Sequence, residues 1–185
     1  MKKVFLTAIG FFGFLSIFFL SSCEQDPCEQ VNCAYSAVCD AGACLCQIGY
    51  EGVHCEVITR EKYKGIYIVN EDGTLSGIAQ YTTSIVDGDQ INQVRIKNFK
   101  NIFKNDDVIA TVERDTLTVA QQTFSNGYRV EGWAVITDTD PLSQHYYQRA
   151  VMAFYYKVTE ISSGNVDEFG SNGSQPSDWA KQGKD

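Results

Sequence analysis

The sequence predicts a mainly β protein in two parts: a disulfide-rich mini-domain, then an antiparallel β-barrel of about seven or eight strands, with a β-sandwich as the alternative. Three observations lead there. Six of the seven cysteines fall between Cys28 and Cys55, and none follows. From Gly65 to Val158, apolar and polar residues alternate with a period of two, the pattern of half-buried strands rather than helices. Turn residues interrupt that alternation roughly every dozen positions, as in hairpin-connected sheets.

The first residues follow a different rule. Lys2 and Lys3 precede the uncharged run Val4–Leu20, and small residues follow it. A basic start, an apolar stretch and a small-residue boundary read as a secretory signal over residues 1–22. The rival is a retained membrane helix, but seventeen apolar-biased residues lie at the short end for a bilayer and no basic stop follows. Leu20-Ser21-Ser22-Cys23 resembles the lipobox of bacterial lipoproteins, with a branched apolar residue three before the cysteine and small residues between. That resemblance implies that Cys23 is cleaved to the mature N-terminus and triacylated, giving a lasting membrane tether over residues 23–27. The alternative is an ordinary secreted chain with one spare thiol.

Without residues 1–22 the chain holds thirteen basic and twenty-three acidic residues, a formal charge of −10. Phosphate backbones and anionic lipid surfaces would repel such a body, so no nucleic acid is expected and the tether has to do the membrane binding. Glu24, Gln25 and Asp26 resemble the acidic signals that send Bacteroidetes-type lipoproteins to the outer face of the outer membrane.

Residues 28–55 cannot fold by burying a core alone, because the segment is too short. Three bridges at about 2–4 kcal/mol each could hold it, and an exported context favours bridges over zinc. The cysteine spacing alone leaves fifteen pairings open. Intervals of four, five, four, one and eight residues, with Gly49-Tyr50-Glu51-Gly52 before the last cysteine, closely resemble the EGF-like family. The resemblance implies the pairs Cys28–Cys39, Cys33–Cys44 and Cys46–Cys55. It does not extend to the calcium-binding members: Pro27 stands directly before Cys28, and Cys39–Cys46 lacks the expected aromatic. No metal and no cofactor is expected.

Residues 56–63 read as a linker. The strands follow: Gly65–Val69, Gly77–Val86, Ile91–Phe99, Val108–Glu113, Thr116–Phe124, Tyr128–Thr137 and His145–Val158. Turns are expected at Asn70-Glu71-Asp72-Gly73, Asp87-Gly88-Asp89, Arg114-Asp115 and Ser125-Asn126-Gly127. Val94 and Ile96 share one face, as do Ala150, Met152, Phe154, Tyr156 and Val158. The domain is placed at 64–161. Gly65-Ile66-Tyr67 resembles the opening G-x-W of lipocalin-like, calycin barrels, and the region as a whole is similar to short calycin-like domains of Bacteroidetes lipoproteins. Barrels of this size either fill with side chains or enclose one small ligand, and the length favours filling. Residues 162–185, rich in Ser, Gly, Asn and Asp, read as a flexible tail, with Trp179 a solvated or contact aromatic.

Catalytic signals are weak. The chain has two histidines, His54 beside Cys55 and His145 near Asp138 and Asp140. Neither has a marked nucleophile or second ligand, so no catalytic residue is assigned and no enzymatic activity is expected. Asp106-Asp107 and Asp138/Asp140 serve equally well as turn residues. Tyr146, Tyr147, Phe154, Tyr155 and Tyr156 suit either a sugar-stacking surface or core and cross-strand packing. The expectation is a non-enzymatic lipoprotein of the cell envelope, facing the exterior, in contact with an extracellular or periplasmic protein. A lipocalin-like carrier of a small apolar ligand and a carbohydrate-binding accessory are the alternatives.

Overall fold

The computed structural model describes residues 26–139 and 147–183. The expected signal segment 1–22, the lipidation residue Cys23, Asp140, His145 and Tyr146 lie outside the described residues.

Disulfides join Cys28 to Cys39, Cys33 to Cys44 and Cys46 to Cys55, the order that the EGF-like resemblance implies. They pin a hairpin of β1 (Val38–Asp40) and β2 (Ala43–Leu45), then a second short pair, β3 (Tyr50–Glu51) with β4 (Val57–Ile58). Ala41 and Gly42 turn the first hairpin with φ of 48° and 85°. Two left-handed residues in a row match the right-handed twist of the flanking strands. The segment read as a linker is a structured junction. β4 runs into a 3-10 turn at Thr59–Lys62, which delivers Tyr63 into the barrel core.

β5 (Gly65–Gly73), β6 (Gly77–Asp87), β7 (Gln93–Lys97), β8 (Val108–Glu113), β9 (Thr116–Thr123) and β10 (Tyr128–Asp138) form an antiparallel meander. β11 (Ala150–Glu160) pairs with β10 from Asp138↔Ala150 to Tyr128↔Glu160. The ring then needs one more wall, and the C-terminal segment supplies it in two pieces. β12 (Val166–Phe169) lies against Tyr156–Thr159 of β11. β13 (Ser177–Lys181) lies against Val151–Phe154 of β11 and, on its other side, against Tyr67–Asn70 of β5. The result is a closed eight-walled antiparallel barrel, not the sandwich alternative.

The flexible tail expected at 162–185 is therefore corrected. Phe169 and Trp179 are buried in the core. The segment is poor in branched apolar residues, with Val166 alone, because its other inward positions are Asp167 and Ser177, both buried and both hydrogen-bonded. A turn expected at Asn70–Gly73 is corrected as well. β5 continues through Gly73, and Glu71 is buried rather than solvated. Its carboxylate accepts hydrogen bonds from three hydroxyl groups, so a charged residue can take an inward strand position.

The other inward positions follow the alternation. Val94 and Ile96 are buried, as are Ala150, Met152, Phe154, Tyr156 and Val158. Rings fill the interior: Phe99 meets Tyr156 at 4.8 Å and Phe154 at 5.6 Å, both edge-on, and Trp179 lies 5.1 Å from Phe154. Gly132 makes room for this packing. A Cβ there would come within 2.4 Å of the Tyr156 Cβ and 2.5 Å of the Tyr155 carbonyl oxygen.

Candidate functional site

The N-terminal module turns apolar side chains to solvent. Val38 and Leu45 are cross-strand partners on its hairpin, 66 % and 57 % exposed. Tyr35, Ile48 and Val53 are exposed as well, and Tyr35 stacks on Tyr50 with centroids 4.3 Å apart. These exposed apolar side chains give so small a module more uncovered apolar surface than isolated folding calls for.

This module is seated on the barrel. Lys62 is 2 % exposed, and its ammonium group lies 2.9 Å from a Glu51 oxygen and 2.7 Å from an Asp115 oxygen. Glu51 belongs to β3 of the small module, and Asp115 to the β8–β9 turn of the barrel. The Tyr147 hydroxyl joins them at 3.2 Å from Asp115. Burial, followed by the Asp115 charge, pushes that hydroxyl up to about 12. Arg60 donates to the Gln90 carbonyl and pairs with Asp87 at 3.0 Å. Gly49 abuts Ile91, where a Cβ would sit 2.8 Å from the isoleucine Cγ2. Lys62→Met removes the cation shared by Asp115 and Glu51, whose own side chain is only 16 % exposed. A loss of about 2 kcal/mol is expected, discounted because Asp115 is more than half exposed. Denaturant melts of this variant should also show the small module separating from the barrel, as faster amide exchange at Thr59 to Tyr63.

A second polar cluster lies at the opposite mouth, near the Gly73–Gly77 turn, beside a cleft of about 420 Å³. Glu71 accepts from the hydroxyls of Tyr81 (3.0 Å), Tyr156 (2.6 Å) and Ser177 (3.2 Å), and Ser177 accepts from the Trp179 indole at 3.0 Å. Lys100 stands 2.7 Å from Asp167 and 3.9 Å from Glu71. Burial would raise the Asp167 carboxyl, but Lys100, Ser76 and the Leu75 amide outweigh it and hold it below the usual carboxylate range. Glu71 takes its donors from β6, β11 and β13, and Asp167 takes Lys100 and the Leu75 and Ser76 amides, which suits a pin across the barrel mouth.

The residues singled out in the sequence are dispersed. His54 is exposed, and its amide donates to Glu56 at 2.8 Å. Asp107 pairs with Lys97, and Asp138 accepts from the Tyr147 amide at 3.1 Å. Among the described residues no group of three His, Cys, Asp or Glu side chains is placed to hold a metal. The aromatic set divides by face: Phe154 and Tyr156 point inward, whereas Tyr155 stacks outside on Trp133. Lys62, Glu71, Lys100 and Asp167 escaped the sequence reading. Glu71 alone left a trace, since it continues the inward register of Tyr67 and Val69.

No protein-family model matches the chain. Among curated proteins, the epidermal growth factor of Lymnaea stagnalis is 32 % identical over 60 residues, 30 % of this chain and 94 % of that protein. Among solved structures, a Bacteroides ovatus protein described as of unknown function is similar with a TM-score of 0.38 and 12 % identity, over 64 % of this chain and 41 % of that one. The chain thus spans less than half the length of that structure. By its N-terminal module, the chain belongs to the epidermal growth factor family.

Proposed function

We propose that this is a non-enzymatic lipoprotein of the cell envelope, tethered through Cys23 and facing the exterior, whose EGF-like module contacts another protein. The observation that carries the contact reading is the exposed Val38–Leu45 pair on a cross-linked module whose β3 is held to the barrel at Lys62. A rigid mount lowers the ordering cost of binding, and an exposed apolar pair supplies the burial. The lipobox Leu20–Cys23 and the acidic residues after it support the tether and its outward address. The ring-filled interior favours contact over carriage of an apolar ligand.

Two measurements test this. Globomycin should make the unprocessed precursor accumulate, and Cys23→Ala should release the chain from membranes; unchanged mobility and fractionation would refute the tether. Crosslinking on intact cells should yield a defined adduct that Val38→Asp with Leu45→Asp abolishes. The control Ile78→Asp, at a barrel tip residue that is 89 % exposed, should leave the adduct intact. Equal adducts from both variants would remove the module from the interface.

A further inference from the structure

We propose that the outer wall of the barrel carries a binding groove for a linear, neutral oligosaccharide, running from the EGF-like module to a stacked Trp133–Tyr155 step. The strand registers define it. Thr111 of β8 faces Thr118 of β9, Thr118 faces Trp133 of β10, and Trp133 faces Tyr155 of β11. All four side chains point away from the core, so one transverse row carries two short hydroxyl residues and then two tall rings. At about 4.8 Å per strand, the threonines form a shelf roughly 10 Å wide in front of the indole.

The step is built to stand. Trp133 and Tyr155 are parallel, with centroids 4.3 Å apart and planes 8° from each other. Tyr155 covers one face of the indole, which leaves the other turned toward β9 and the shelf; Trp133 is 45 % exposed. Behind Tyr155 stands Gly170, at φ +81°, where a Cβ would sit 2.3 Å from the tyrosine ring. Gly170 is where the eighth wall breaks off into its excursion over residues 170–176, which folds back through a Gly170 amide bond to the Gln175 carbonyl. The break therefore falls beside the aromatic pair and lets the chain back it closely. On the other flank, the β9–β10 register shifts between Val130 and Gly132, a bulge that brings Gln121 to the same cleft. Bulges of this kind redirect side chains beside binding sites.

Two clefts meet on this row. One, of about 600 Å³, reaches from Thr118 past Trp133 and Tyr155 to Ser171. The other, of about 450 Å³, reaches from Thr118 past Thr111 and Thr116 to Ile48 of the EGF-like module. Thr118 borders both, so the groove is elongated and crosses the seam between the modules.

The lining selects the ligand class. The faces of a pyranose carry C–H groups that suit the electron-rich face of an indole, and threonine, serine and amide groups can both donate to and accept from hydroxyls. A peptide added as a strand would need a free edge, but β8 to β11 are each paired on both sides. Polyanionic glycans meet a chain of net negative charge, and the groove offers them no surplus of cations, since Glu113 stands beside Arg114 and Glu131 lies 3.3 Å from Lys157. A neutral chain of sugars fits what remains. The groove shares Ile48 with the exposed apolar residues of the module, but not the Val38–Leu45 pair, so either reading can fail without the other.

Trp133 is the exposed one of two tryptophans, so intrinsic emission reports on the step. The full chain would be titrated with cellohexaose, mannohexaose, xylohexaose and laminarihexaose, and with polygalacturonate as the anionic comparison. At least one neutral hexaose should give a saturable change. Trp133→Ala should weaken its binding at least tenfold, read by affinity electrophoresis, with the melting temperature unchanged; Trp133→Phe should keep most of it. Thr118→Arg, which fills the shelf without touching the core, should also abolish binding and serves if Trp133→Ala unfolds. No binding of any neutral hexaose, binding that ignores both variants, preference for polygalacturonate, or a Trp133-dependent peptide ligand would each overturn the proposal.

Discussion

A chain ended at Ile161 is expected to lose the cooperative unfolding transition of the barrel. The seven strands that remain leave β5 and β11 as open edges, because β13 is the element that joins them. The loss also strips Phe169 and Trp179 from the core and removes Ser177 and Asp167 from Glu71 and Lys100. Trp179→Ala alone should cost about 3–5 kcal/mol, the range for emptying a fully buried large ring. Against a total stability of about 5–15 kcal/mol, the point variant should remain folded but melt early, while the truncated chain should bind a hydrophobic dye and show no sharp transition. Calorimetry of both decides the matter. A truncated chain that melts sharply at the parent temperature would mean that the last strands only decorate the barrel.

The second large effect is a steep loss of stability in alkali. Tyr63, Tyr67, Tyr81 and Tyr156 all have their hydroxyls raised well above the usual value of 10, in each case chiefly by burial. Negative charge adds to this at three of them: Asp115 and Glu51 near Tyr63, and Glu71 beside Tyr81 and Tyr156. Below pH 10 both folded and unfolded chains keep these protons, and the full stability is present. Above it the unfolded chain gives up protons that the folded barrel retains, so stability falls. These four buried groups at about 1.4 kcal/mol per pH unit each give a slope of roughly 5 kcal/mol per unit, to which Tyr147, raised to about 12 but more exposed, adds a smaller share. Lys181 acts the other way in an earlier window. Burial lowers its ammonium to about 8 from 10.5, so between those values the folded state sheds a proton first and gains stability. Guanidinium midpoints should therefore rise slightly from pH 8 to 10 and drop sharply beyond. Tyr67→Phe should shrink the drop by about a quarter. A midpoint that stays level through pH 11.5 would contradict this account.

The EGF-like module was legible because covalent spacing carries its own pattern, and the meander was legible because its inward residues are apolar. The eighth wall was hidden for two physical reasons. It is split by residues 170–176 into pieces of four and five residues, too short for a period to register. Its inward set, Asp167, Phe169, Ser177 and Trp179, is half polar, so burial there is satisfied by hydrogen bonds rather than by hydrocarbon. Glu71 misled for the same reason, since a carboxylate next to Asp72 and Gly73 reads as a turn until the Tyr81, Tyr156 and Ser177 hydroxyls are known. Lys62 belongs to the same class: its two acidic partners come from segments 11 and 53 residues away. Trp133 was not singled out in the sequence either; it takes the outward position on β10, opposite the buried Ala134 and Ile136.

The order in which the walls appear along the chain has a bearing on its synthesis. The first staves of the barrel leave the ribosome long before Ser177–Lys181, the segment that locks them into a ring. Until then the nascent polypeptide lacks the strand that joins β5 to β11. Its sulfur-linked head closes on bridges of nine to eleven residues' separation, all made before the final stave is synthesised.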